Sequence, residues 1–289
     1  MTDPLVPHLL DILKNAPPNS FILGGGFGLL LKRQHLVHNR VLTLAESAGH
    51  VLPDARATTD IDLFLRMELF TEPASGKELR AVLDDLRYRV KEEKWQFVKP
   101  LDPLVENREL VLDLLARLPR GDENVKVRNI RVGSDSEAEI HGRKTPEAFA
   151  VDYGPVPIDV IDEGRVLGQV FVPHPYAWAS MKVRAAHDWL RYTAQPWPLG
   201  DNRQPPSSKH AFDVAMIVAM ITEEERDTAK QLAAQLRDEV IAAAIRHEAI
   251  SLFGRADSPG WIEARRYDMF DDHELIWESL RDVLAIEAS

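Results

Sequence analysis

Four short apolar runs between residues 122 and 172 ("NVKVRNIRV", "AFAVDYG", "VPIDVID" and "GQVFVP") are divided by turn residues, and from Pro173 the pattern turns helical. Short runs broken by turns predict strands, whereas the later stretches carry apolar residues at helical spacing. This change constrains the fold more than any other feature. It predicts a mixed α/β (α+β) half over 1–172, a mixed sheet with flanking helices, followed by an all-helical half over 173–289. A chain of 289 residues is long enough for two ordinary domains.

Within the first half, residues 4–15 predict a helix. "FILGGGFGLLLKRQHL" predicts a strand, a glycine turn and a helix, and "NRVLTLAESAGHVLPDARAT" is a polar excursion. Helices are expected over 77–95 and 102–119. In the second half, "PYAWASMKVRAAHDWLRYT" and "KHAFDVAMIVAMI" are helical and flank a Pro/Gly/Ser loop over 195–208. Thr222 and Glu225 stand in capping-box spacing and start a helix expected to reach about Phe253. Residues 261–286 are mostly helical.

Composition narrows the function classes. Apolar content of 45% and charged content of 28% describe a soluble globular chain, and no apolar run is long enough to span a bilayer. The N-terminus lacks the basic start and cleavage site of a signal peptide, so the expected location is the cytoplasm, with no membrane partner. There is no cysteine, which excludes disulfides, thiolate metal sites and a cysteine nucleophile. A net charge of −11 argues against broad adhesion to nucleic acid while leaving room for a local basic groove.

The candidate site lies in "ARATTDIDLFL". Alternation puts Asp60, Asp62 and Phe64 on one face of a strand and Ile61, Leu63 and Leu65 on the other. Two carboxylates side by side repel, and a divalent magnesium ion removes that cost. Two-metal phosphoryl-transfer sites use a further carboxylate from a neighbouring strand, and "VPIDVI" supplies Asp159. Asp152 and Asp162 compete with it but adjoin turn residues. The glycines of "LGGGFG" follow an apolar strand and open a helix. Backbone N–H groups at Gly25 and Gly26 would therefore approach the phosphates of a nucleotide. The spacing is neither that of a P-loop nor that of a dinucleotide fingerprint.

Taken together, "GGGFGLLLK", "RATTDIDLFL", "MKVRAAHDWLR" and "KHAFDVAMI" resemble the AbiEii-type nucleotidyltransferase toxins of the DNA polymerase β-like superfamily. The second motif fits at Arg56, Thr58, Asp60, Ile61 and Asp62, the helical lysine at Lys182 and the final aspartate at Asp213. His210 stands where the family has an aspartate. The resemblance implies a nucleotidyltransferase-fold catalytic domain over 1–172 and a helical domain over 173–289 that completes the nucleotide and acceptor cleft. It implies transfer of a nucleoside monophosphate from a nucleoside triphosphate to a tRNA or protein acceptor, and a cognate antitoxin as partner. Two magnesium ions on Asp60, Asp62 and Asp159 would serve the reaction. Gly25, Gly26, Lys182 and Asp213 would serve the nucleotide.

Plainer readings stand beside these. An Asp-x-Asp pair can be a solvated strand face, glycines a tight turn, and Lys182 a solvated helix residue, although basic residues outnumber acids between 182 and 210. His174, His187 and His210 have no metal-ligand spacing. Trp178, Trp189 and Trp197 are expected to pack, and Arg56 and Thr58 to brace the loop. Two alternatives share the fold: a nucleotidyltransferase acting on a small molecule, and a nucleotide-binding regulator without turnover.

Overall fold

The run Asp60–Leu65 does form a strand, and its apolar face is buried: Ile61 is 0% exposed and Leu63 and Leu65 are 1%. The computed structural model describes residues 3–56, 58–91, 93–101, 109–133, 139–192, 206–267, 269 and 271–287, with the backbone alone for 73 and 192. In chain order the elements are α1 (Val6–Asn15), β1 (Phe21–Leu23), α2 (Gly25–Asn39), α3 (Leu44–Ser47), β2 (Asp60–Leu65), α4 (Glu68–Thr71), α5 (Pro73–Asp85), β3 (Arg89–Val90), β4 (Gln96–Pro100), β5 (Glu109–Ala116), β6 (Val127–Arg128), β7 (Arg131–Gly133), β8 (His141–Lys144), β9 (Val156–Asp162), β10 (Arg165–Val172), α6 (Pro175–Tyr192), α7 (Pro206–Ala219), α8 (Glu223–Gln235), α9 (Val240–Phe253), α10 (Pro259–Ala264) and α11 (His273–Leu284). A 3₁₀ turn spans Pro146–Ala148. The chain is thus mixed α and β, with eleven α-helices among the described residues. None of those helices is long and apolar enough to cross a membrane.

Two compact units form. The first comprises Met1–Asn39 and Arg56–Pro173, the second Arg40–Ala55 and His174–Ser289. Residues 40–55 lie inside the span read above as the catalytic domain, yet they cluster with the helices. Local bonds account for this. The Leu44 N–H donates to the Ile221 carbonyl at 2.8 Å, and His50 Nε2 lies 3.0 Å from Asp272 Oδ2. Thr43 and Glu46 form a complete capping box around α3.

The first unit is built on an eight-stranded mixed sheet in the order β1-β2-β5-β8-β7-β6, with β4 pairing β5 beside β8 and β3 pairing β4. The β2–β5 and β5–β8 pairs are parallel. Strand β5 is the centre, and on one face Leu110, Leu112, Leu114 and Ala116 are all 0% exposed. Phe97 of β4 lies on that face opposite Leu112, with the Arg80 guanidinium of α5 over its ring. Strands β9 and β10 form a separate antiparallel hairpin.

Several elements differ from the sequence reading. A helix was expected over 102–119, but Glu109–Ala116 is strand β5, and 102–108 lie outside the described residues. The helix expected over 77–95 stops at Asp85. Its cap is followed by Arg87 at φ 64°, which turns the chain into β3 and β4. "AFAVDYG" is not a strand. It holds the end of the 3₁₀ turn and further turns, where Asp152 is taken by the buried Arg117 guanidinium. The single helix expected from Thr222 to Phe253 is two helices, α8 and α9. Residues 195–205 of the polar loop, including Trp197, lie outside the described residues.

Candidate active site

Parallel pairing of β2 with β5 sets Asp62 directly opposite Asp113, and Asp60 opposite Val111. Registered partners share a face, and neighbouring strands run about 4.8 Å apart. Asp60, Asp62 and Asp113 therefore stand together on the face opposite the aliphatic core. Asp60 is exposed, while Asp62 and Asp113 are half-buried. The row continues on both sides. Gln96 of β4 is registered with Asp113, and its Nε2 donates to Asp113 Oδ1 at 2.8 Å. The Gly24 N–H donates to the Asp62 carbonyl at 2.8 Å.

The electrostatics of this row are those of crowded carboxylates. Burial, and then the charge of Asp60, push the Asp113 carboxyl above its ordinary range, while the Gln96 amide, Arg143 and Lys91 pull it back. The Thr59 hydroxyl donates to Asp60 Oδ1 at 3.3 Å, and the Asp60 N–H donates to Thr58 Oγ1 at 3.3 Å. Among the described residues, no three acidic or histidine side chains already converge into a formed metal site.

The glycine turn is fitted to this row residue by residue. A Cβ on Gly24 would lie 2.4 Å from the Phe64 ring, one on Gly25 1.8 Å from Asp62 Oδ2, and one on Gly26 2.9 Å from Arg56 Nη2. Gly25 also has φ +63°, which only glycine adopts without strain. The first turn of α2 is thereby pressed onto the Asp62 carboxylate, with the Arg56 guanidinium above the next residue. The start of a helix leaves backbone N–H groups without intrahelical partners and carries positive partial charge.

The other expected residues lie on other elements. Asp159 is on β9, outside the large sheet. Its Oδ2 accepts from Asn39 Nδ2 at 3.0 Å and lies 3.3 Å from His35 Nδ1, and its N–H donates to the same ring nitrogen at 3.0 Å. Asn39 is the last residue of α2, whereas Asp62 abuts its first residue. At 1.5 Å per residue, the fifteen-residue helix separates the two carboxylates by roughly 20 Å. Asp159 therefore does not stand beside Asp62, whereas Asp113 does. Asp162 flanks the β9–β10 turn. Lys182 and Asp213 belong to the second unit and meet there. Lys182 Nζ donates to Asp213 Oδ2 at 2.7 Å, with both residues buried. Trp178 is buried at 1% exposure, whereas Trp189 is 42% exposed.

Sequence reading missed Asp113, Gln96 and the contact of Arg56 with the glycine turn. The signal for Asp113 was a lone aspartate inside "LVLDLLA", the same pattern that drew attention to Asp159. No family model matches the chain, and neither a curated protein nor a solved structure matches it.

Proposed function

We propose that the chain is a magnesium-dependent nucleotidyltransferase, with Asp60, Asp62 and Asp113 as the carboxylates of its active site. The observation that carries this reading is the carboxylate row pressed against a glycine turn. Asp62 and Asp113 face each other on adjacent strands, and the start of α2 lies so close to Asp62 that no Cβ fits.

The donor set suits magnesium. Three carboxylates supply hard oxygen ligands, and burial together with the nearby Asp60 charge, which raise the Asp113 carboxyl, are what a divalent cation offsets. Bound there, the ions would neutralise nucleotide phosphate charge and lower the pKa of the attacking hydroxyl. The chain's own residues would do the rest. The N-terminal turn of α2, at Gly25 and Gly26, together with the Arg56 guanidinium, would hold the β- and γ-phosphates. Asp113, kept in one orientation by Gln96, would accept the proton of the acceptor hydroxyl. That oxygen would form its bond to the α-phosphorus while the bond to the bridging oxygen breaks, and pyrophosphate would depart toward Arg56 and the helix start. Lys182, expected above to serve the nucleotide, donates to the buried Asp213.

The test is incubation of the purified chain with each α-labelled nucleoside triphosphate, magnesium, and either total tRNA or cell lysate, with Asp62→Ala and Asp113→Ala alongside. Label transferred by the wild type and by neither variant supports the reading. Equal transfer by Asp113→Ala refutes the placement of the third carboxylate, and absence of label with every triphosphate and acceptor refutes transferase chemistry.

A further inference from the structure

Asp159, remote from the carboxylate row, belongs to a different constellation. His35 and Asn39 stand four residues apart at the end of α2, so both side chains reach the same flank of the helix. Asp159 of β9 meets them there. Asn39 Nδ2 lies 3.0 Å from His35 Nδ1 and 3.0 Å from Asp159 Oδ2, and those last two atoms are 3.3 Å apart. All three residues belong to the first unit. Solvent reaches them: Asn39 is exposed, and the His35 and Asp159 side chains are 21% and 25% exposed.

Hydrogen bonding leaves this triangle poorly satisfied. The Asp159 N–H points at His35 Nδ1, so that nitrogen is an acceptor and the neutral ring carries its proton on Nε2. Nδ1 has one lone pair in the ring plane, and the Asn39 amide competes with the Asp159 N–H for it. Beside it, at 3.3 Å, is the Asp159 carboxylate oxygen. Two electron-rich atoms at that separation repel unless a positive group joins them. The last turn of a helix carries negative partial charge, which favours a cation at the same place.

We infer that His35 Nδ1, Asp159 Oδ2 and Asn39 Oδ1 bind a zinc ion. A half-turn of the Asn39 amide exchanges its nitrogen for its oxygen and completes a set of three donors. A triangle with these sides has a circumscribed radius of about 1.8 Å, less than zinc bond lengths of about 2.0–2.2 Å. One ion placed about 1 Å off the plane therefore reaches all three corners. Gln169 of β10 is registered with Asp159, shares its face and is exposed, so its side chain or water can fill a fourth position. The Asp159 N–H gives up its share of Nδ1 when the ion binds. An imidazole among oxygen ligands favours zinc over magnesium, and manganese stands lowest in the divalent series. Bound there, zinc ties the last residue of α2 to β9, at the far end of the helix whose first turn presses on Asp62. The inference does not rest on the transferase reading.

The test is calorimetric titration of the untagged full chain with Zn²⁺ in excess Mg²⁺, with thermal melts of every variant run first without metal. The wild type should bind one ion at this site. His35→Ala and Asp159→Asn should bind it at least about tenfold more weakly, since even groups that only support metal ligands change affinity about 10–100-fold. Asn39→Asp keeps the geometry and adds a charged oxygen, so it should bind about tenfold more tightly, which loss of folding could not imitate. Zn²⁺ should raise the thermal midpoint of the wild type and leave that of His35→Ala unmoved. Asp62→Ala, with the carboxylate row broken, and His247→Ala, at an exposed histidine of α9, should bind Zn²⁺ as the wild type does. Equal affinity in the wild type and His35→Ala would overturn the inference, as would an Asn39→Asp variant that binds no more tightly. Loss of Zn²⁺ in Asp62→Ala would place the ion in the carboxylate row, and loss in His247→Ala would reduce it to scattered surface imidazoles; either result also refutes the site.

Discussion

Alanine substitution along Gly24, Gly25 and Gly26 should produce three different defects, because each glycine meets a different neighbour. At Gly25 two effects combine. A non-glycine residue in the left-handed region costs about 1–2 kcal/mol. The new Cβ would also overlap Asp62 Oδ2 at 1.8 Å, and that carboxylate can escape only by rotating out of the row. Stability should therefore fall by about 1–2 kcal/mol, or roughly 2–8 °C in midpoint for a unit of this size. Activity should fall at least about 100-fold, since displacement of a catalytic group by about 1 Å has that effect. At Gly24 the clash is with the buried Phe64 ring, 2.4 Å away, which has little room to move. Overpacking of about 1–3 kcal/mol is expected there, with the surviving folded protein retaining most of its metal affinity. At Gly26 the neighbour is the flexible tip of Arg56, so stability should hardly change while nucleotide affinity drops. Urea denaturation, Mn²⁺ titration by electron paramagnetic resonance and labelled-nucleotide binding separate the three. The reasoning fails if Gly25→Ala keeps both wild-type stability and wild-type Mn²⁺ affinity, or if all three variants behave alike.

Three further outcomes follow from the same geometry. Asp113 has a carboxyl raised by burial and by Asp60, so the folded chain holds that proton more tightly than the unfolded chain does. In EDTA, its contribution to stability is present below the ordinary carboxylate range and is lost as pH rises through the elevated folded value. Asp113→Asn should flatten that loss and raise the midpoint at pH 7, and a midpoint lowered instead would contradict the argument. Lys182→Met leaves Asp213 buried without its cation and should cost about 3–5 kcal/mol in urea denaturation, with Lys182→Met/Asp213→Leu recovering most of it. Wild-type stability in Lys182→Met would show that the pair contributes nothing. Asp159→Ala should leave Mn²⁺ binding and nucleotide transfer intact and cost about 1 kcal/mol, since it removes a part-exposed bond to Asn39 and the contact with His35. Loss of Mn²⁺ binding in that variant would return Asp159 to the metal site.

What the sequence made legible was local, and what it hid was pairing. The alternation in "TDIDLFL" gave the strand and the face of Asp60 and Asp62, and "GGG" between an apolar strand and a helix gave the turn beside them. Asp113 was hidden because β5 lies between two neighbouring strands and reads as a near-continuous apolar run. Periodicity cannot separate such a strand from a buried helix. Asp159 was attractive for the converse reason. "VPIDVI" does form a strand, yet nothing in it says that β9 pairs only with β10 and packs against the far end of α2.

The precision of the candidate site comes from the face that does no chemistry. A slip of one residue between β2 and β5 would turn every side chain of one strand to the other side. On β5 it would expose Leu110, Leu112 and Leu114, each fully buried, and drive Asp113 into the apolar layer. Losing burial of three leucines costs about 5–9 kcal/mol, comparable with the entire stability of an ordinary domain at about 5–15 kcal/mol. Burying the carboxylate without a partner would add to that. The register that sets Asp62 opposite Asp113 is thus fixed by hydrophobic packing, which the crowding of the carboxylates is too weak to undo. The same ladder carries the alignment outward, to Gly24 on one side and Gln96 on the other. The row can therefore hold like charges in place before any cation arrives, which is the preorganisation that phosphoryl transfer requires.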